Sequence, residues 1–191
     1  MSTSRFTSQP TSRSVPRLVG RPRAAHVGAA GAALALVTLI VPLTGVPAQA
    51  AAPPACTASM TKVSFGNTDG AAGSIYGTMR VTNVSTRTCT IHGYGGISYV
   101  GHGNGTQIGA AADRTAARVG TVTLRPRQSA TAQVRMVEAG DYGRRHCRPT
   151  AVDGFRVYLP GETHSKYVAY PTTGCANPNV HLLSSKPYRA A

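Results

Sequence analysis

The residues able to do chemistry are few. Acidic side chains number six, at Asp69, Asp113, Glu138, Asp141, Asp153 and Glu162. Hydrolysis of a glycosidic bond needs two carboxylates flanking it, whereas several of these acids stand in turn-like runs where Asp serves local backbone hydrogen bonding. His92, His102, His146, His164 and His181 could ligate a metal, yet no two sit at i, i+2 or i, i+4, so no metal ligand is assigned. Beyond Ala50 no Gly-x-Ser-x-Gly elbow exists to present a serine nucleophile. Gly101-His102-Gly103-Asn104-Gly105 has the composition of a phosphate-cradling loop without the Lys and helix that give such loops their function, and reads as a hairpin tip. Asn83-Val84-Ser85 and Asn104-Gly105-Thr106 match the glycosylation sequon. The expectation is a protein that is not an enzyme, with no catalytic residues and no cofactor.

Cysteine is the more informative residue. Cys56, Cys89, Cys147 and Cys175 form an even set with no Cys-x-x-Cys pair, which in an exported chain reads as two disulfides with three possible connectivities. Sequential pairing, Cys56 with Cys89 and Cys147 with Cys175, is expected because neighbouring strand ends favour local closure. Each crosslink would then contribute about 3.5–4 kcal/mol by restricting the unfolded chain.

Export itself is read from residues 1–50. Five arginines and no acid precede an apolar stretch, Ala29 to Leu43, and Ala48-Gln49-Ala50 supplies a small-x-small cleavage signature. The stretch is shorter than the roughly twenty residues a membrane span needs. The expected organisation is a signal peptide over 1–50, a mobile Ala/Pro leader over 51–55 and one domain over 56–191, secreted or retained at the cell wall, with no membrane span after processing. Processing takes five arginines from the chain's +14 and leaves 15 cationic against six acidic side chains, a net +9. Such a domain would be drawn to anionic polymers.

Period-two alternation dominates the mature part. Ile75, Gly77, Met79 and Val81 share one face, as do Ala130, Ala132, Val134 and Met136, and again Phe155, Val157 and Leu159. Asn104-Gly105 suggests a type I′ hairpin, while Pro126 and Pro160-Gly161 end strands. A final strand is expected over Val180 to Leu183, and one short helical turn within Ala110 to Arg118. Seven to nine strands argue for an all-β, antiparallel, immunoglobulin-like sandwich with two disulfides.

The run Val81-Thr82-Asn83-Val84-Ser85, then Thr88-Cys89-Thr90-Ile91-His92-Gly93-Tyr94, resembles the central signature of the domain-of-unknown-function 4232 family. Val122 to Pro126, Asp153 to Val157 and Pro160-Gly161-Glu162-Thr163 extend the resemblance over nearly the whole mature chain. Gly95-Gly96 stands where the family has Pro-Gly, and Pro126-Arg127 where it has another Pro-Gly turn. The resemblance implies an exported, soluble or lipid-anchored actinobacterial β-sandwich with no assigned activity.

A candidate binding face remains. Tyr76, Arg80, Arg135, Arg156 and Tyr158 all point away from the expected core, and if their strands are neighbours they interleave on one flat sheet face. Arg and Tyr together suit contact with carbohydrate or polyanion. The partner would be an anionic cell-wall polymer. Alternatively the protein is an inhibitor or accessory subunit of another secreted protein, such as a protease, presenting the Arg144 to Pro149 segment beside Cys147.

Overall fold

The computed structural model describes residues 51–191; the expected targeting segment, 1–50, lies outside them. The described residues fall within one unit, Ala48–Ala191. In chain order the strands are β1 (Thr61–Ala71), β2 (Ser74–Asn83), β3 (Cys89–His92), β4 (Gly96–Gly101), β5 (Thr106–Ile108) and β6 (Asp113–Arg114). They continue as β7 (Thr121–Leu124), β8 (Ser129–Val137), β9 (Pro149–Tyr158), β10 (Ser165–Cys175), β11 (Leu183–Ser185) and β12 (Arg189–Ala190). A 3₁₀ turn, Ala139–Asp141, and a four-residue helix α1, Arg144–Cys147, lie between β8 and β9. None of these helical pieces is long and apolar enough to cross a membrane.

The first sheet has the order β1-β2-β8-β11-β6, with β12 also on β8; the second has the order β10-β9-β4-β5, and β3 pairs with β7 separately. Met79, Val134 and Met136 from the first sheet meet Ile97, Tyr99, Phe155, Val157 and Val168 from the second in one shared core. The two sheets therefore lie face to face. The alternation read in β2, β8 and β9 is what builds this core, because successive side chains of a strand point to opposite faces. At its centre Phe155 is fully buried, which contributes about 2–3 kcal/mol. Phe65, Tyr99 and Tyr170 surround it at centroid distances of 4.9, 5.3 and 5.3 Å.

Both disulfides join the expected partners, Cys56–Cys89 with Cα atoms 4.9 Å apart and Cys147–Cys175 with Cα atoms 4.6 Å apart. The first draws in the end of the leader, for Ala55 bridges Thr90 and the Pro54 carbonyl accepts the Thr90 N–H at 2.8 Å. That end is tied down, contrary to the expectation of a mobile leader.

Other local expectations are corrected. Among the described residues twelve strands, several of them only two to four residues long, replace seven to nine, and the pairing is not wholly antiparallel, since β6 lies parallel to β11. No helical turn forms within Ala110 to Arg118; Ala112 N–H reaches the Ile97 carbonyl and Thr115 N–H the Ser185 carbonyl, so the segment is held extended by its neighbours. The last stretch pairs from Leu183 to Ser185, beyond the expected Val180 to Leu183. Asn104-Gly105 is not a two-residue turn: Gly101 pairs with Thr106, and the positive φ angles fall on His102, Gly103 and Gly105. Asn104 instead uses its side-chain oxygen to accept the Thr106 N–H and hydroxyl at 3.0 and 2.7 Å.

Candidate functional site

The five residues expected on one face divide between two. Tyr76 and Arg80 lie on β2 and Arg135 on β8, outward on the first sheet, with Tyr76 directly opposite Arg135. Arg156 and Tyr158 lie on β9, outward on the second sheet. The inner faces of the two sheets are packed together, so the two groups occupy opposite outer surfaces. One continuous Arg/Tyr face does not form.

Strand register extends the first group. The rung Ser64–Arg80–Thr131–Arg189 crosses β1, β2, β8 and β12. Arg80 and Arg189 are thus two strand spacings apart, roughly 9.5 Å. Lys62 lies on the neighbouring rung with Thr82 and Ser129. Lys186, whose N–H donates to the Gln133 carbonyl, borders a shallow depression with Tyr76, Gln133, Arg135 and Ser184. Five cations therefore occupy this surface among threonines and serines. Its acids are Asp69, on edge strand β1 beside the bulge and on the same rung as Tyr76 and Arg135, and Asp113 on edge strand β6, bound to His181 at 2.9 Å. That contact is the one ion pair among the described residues, so none of the five cations is neutralised by a carboxylate. Arg135 alone is anchored, by donation from Nε to the Ser74 hydroxyl at 3.1 Å.

The second group is aromatic. Arg156 sits directly opposite Tyr167 of β10 and Ser98 of β4. Its guanidinium carbon is 6.0 Å from the Tyr158 ring centroid. Its other contacts hold the β4–β5 hairpin, with Nη2 donating to Gln107 Oε1 at 2.8 Å and Nη1 to the Gly105 carbonyl at 3.3 Å. Tyr167, 59 % exposed, completes a tyrosine–arginine–tyrosine strip. Arg156 is thus spent partly on its own fold, while the first-sheet arginines are freer.

Sequence reading missed Lys62, Tyr167, Lys186 and Arg189. Alternation through Ser165-Lys166-Tyr167-Val168 could have placed Tyr167 outward, for Val168 is buried and its neighbours are not. Arg189 had no such signal, because β12 is only two residues long.

Two of the six acids serve the backbone. Glu162 Oε2 accepts the Ala58 N–H at 3.1 Å, and Asp153 Oδ2 accepts the Gly103 N–H at 2.8 Å. The dense basic segment is α1 and its cap: Arg148 takes the left-handed conformation that ends the helix. Asn177 Nδ2 donates to the His146 carbonyl at 2.8 Å and Ala176 N–H to the Arg148 carbonyl at 3.0 Å, beside the Cys147–Cys175 bridge. Arg144, Arg145, His146 and Arg148 remain exposed on this strapped support.

Residues 56–188 match the family described as Domain of unknown function (DUF4232). The chain belongs to this family. A comparison with curated proteins finds no match. In this DUF4232 domain the signature-like run Val81 to Ser85 has a structural explanation. Asn83 is fully buried; its Nδ2 donates to the Arg87 and Leu124 carbonyls at 2.7 and 2.9 Å. Its Oδ1 accepts the Ser85 N–H and hydroxyl at 2.9 and 2.7 Å. The side chain thereby ties β2, the following turn and β7 together. A buried amide with every hydrogen-bonding position used is no acceptor for a glycan, so the sequon at Asn83 is part of the DUF4232 core and not a modification site.

Proposed function

We propose that this protein is an exported, non-enzymatic binding module of the cell envelope or extracellular space, and that its ligand is an anionic wall polymer. In this reading residues 1–50 are a cleaved signal peptide and the remainder is an immunoglobulin-like β-sandwich, secreted or held at the wall. Two disulfides with no free cysteine are compatible with an oxidising compartment. The observation that carries the reading is the outer face of the first sheet: Lys62, Arg80, Arg135, Lys186 and Arg189 outnumber the Asp69 carboxylate on its edge strand, and none of the five is in an ion pair with an acid. Cations held on a rigid sheet amid hydroxyl groups suit the regularly spaced anions of such a polymer.

The test compares two double variants of equal charge. Arg80→Gln with Arg135→Gln removes two cations from the face; Arg87→Gln with Arg118→Gln removes two from exposed loops. Co-sedimentation with purified wall polymer across a salt series should weaken for the first pair, its log–log salt slope falling by about 2. It should barely change for the second. Equal losses would mean a diffuse basic surface without a site. Export is tested separately by mass spectrometry of the native protein, which should begin at or within a few residues of Ala51; an intact Met1 in the membrane fraction would refute it.

The strapped α1 segment favours a second reading, a secreted inhibitor or accessory subunit presenting Arg144 to Pro149. Rigid, disulfide-braced backbone reduces the entropy lost on docking. Stoichiometric titration of a co-secreted protease would support this reading, and its absence at equimolar amounts would exclude protease inhibition for the enzyme tested.

A further inference from the structure

A recess of about 510 Å³ opens where the segment after β8 crosses between the two sheets. That size is typical of small-molecule sites. Ile75 and Met136 from the first sheet and Tyr99 and Tyr170 from the second line it, with Glu138 and Arg144 also on its border. The recess is distinct from the cationic sheet face.

Three features point to what it takes. Tyr99 is 4 % exposed, and the tyrosine hydroxyl bonds among the described residues are made by Tyr94 and Tyr167. The hydroxyls of Tyr99 and Tyr170 are therefore unused. Burial first, and then the neighbouring Tyr170, raise the Tyr99 phenol above its ordinary value, so it stays a neutral O–H donor. Glu138 and Arg144 carry opposite charges on one recess, yet the single ion pair among the described residues is His181 with Asp113. The two stand more than 4.0 Å apart, each without an ionic partner. A gap between opposite charges, above an apolar floor with spare hydroxyl donors, complements a molecule with a charge of each sign and an apolar body.

We propose that this recess binds a short peptide as its zwitterion. Arg144 takes the carboxylate and Glu138 the ammonium group. The Tyr99 hydroxyl donates to a ligand carbonyl, and the apolar side chain lies over Ile75 and Met136.

The probe is alanyl-phenylalanine with free termini, titrated into the isotopically labelled protein and followed by heteronuclear NMR, beside its N-acetylated and C-amidated forms. The free dipeptide should shift the recess residues saturably, and blocking either end should weaken binding about tenfold, the worth of one charge-assisted contact. Glu138→Gln should abolish the preference for the free amine, and Arg144→Gln the preference for the free carboxylate. Both side chains are exposed, so neither change threatens the fold. Tyr99→Phe keeps the ring and should weaken all three probes alike. Absence of saturable shifts up to about 10 mM would overturn the proposal. So would equal affinity for free and blocked forms, or shifts confined to the first sheet's outer face.

Discussion

Replacing Asn83 with Ala removes four hydrogen bonds of 2.7–2.9 Å from a fully buried position. The losses are unequal. The Arg87 carbonyl keeps the Ser85 hydroxyl as a donor at 3.1 Å, and Ser85 is half-buried, within reach of water. The Leu124 carbonyl loses its side-chain donor at a buried site, which costs about 1–3 kcal/mol. The remaining bonds contribute roughly 0.5 kcal/mol each after water exchange. The sum is about 3 kcal/mol, a large share of the 5–15 kcal/mol on which a domain stands. Urea unfolding with the disulfides intact reads this directly: with a slope of about 1.5 kcal/mol/M, the midpoint should fall by about 2 M. Ser85→Ala, which removes the hydroxyl contacts alone, should cost about 0.5–1 kcal/mol. Asn83→Asp keeps the acceptor but loses both N–H donors and buries a charge, so it should be at least as damaging at neutral pH. A loss below about 0.5 kcal/mol for Asn83→Ala would refute the hub assignment.

Gly77 lies under Phe65, whose ring occupies the place a Cβ would take. Gly77→Ala should therefore cost about 1–3 kcal/mol by overpacking, measured as a shift in the urea midpoint; an unchanged midpoint would mean that Phe65 moves aside freely. Burial raises the phenols of Tyr99 and Tyr188 above the ordinary value of 10.0. Their contribution to stability is whole below about pH 10 and falls as pH climbs from there toward the folded values, because the unfolded chain loses those protons first. In an ultraviolet titration two of the eight tyrosines should ionise only with alkaline unfolding. All eight ionising together near pH 10 with the fold intact would contradict this.

Much of the architecture was legible because the information is local. Alternation in β2, β8 and β9 assigned Met79, Val81, Val134, Met136, Phe155 and Val157 to the interior, as a two-residue period must when one strand face is buried. The even cysteine set gave two disulfides, and proximity of strand ends the right pairing. The family resemblance rested on contiguous runs and likewise needed no tertiary information.

What failed was long-range. β6 and β12 are two residues long and β11 three, and all exist through bonds to strands dozens of positions away, so no local pattern marks β6 or β12, and the strand expected over Val180 to Leu183 overlaps β11 only at Leu183. Asn83 read as a sequon because its role depends on Leu124, 41 residues on, arriving within hydrogen-bond distance. The expected binding face needed β2, β8 and β9 to be neighbours. Alternation says which side chains leave the core but not which sheet carries them. Chain pairing put β9 between β10 and β4, away from β8, and that alone separated Arg156 and Tyr158 from Arg80 and Arg135. The same pairing brought Lys62, Lys186 and Arg189 onto the first sheet's face and opened the recess beside Tyr99. Residue types and their period determined which side chains face solvent; only the order of strands decided which of them meet.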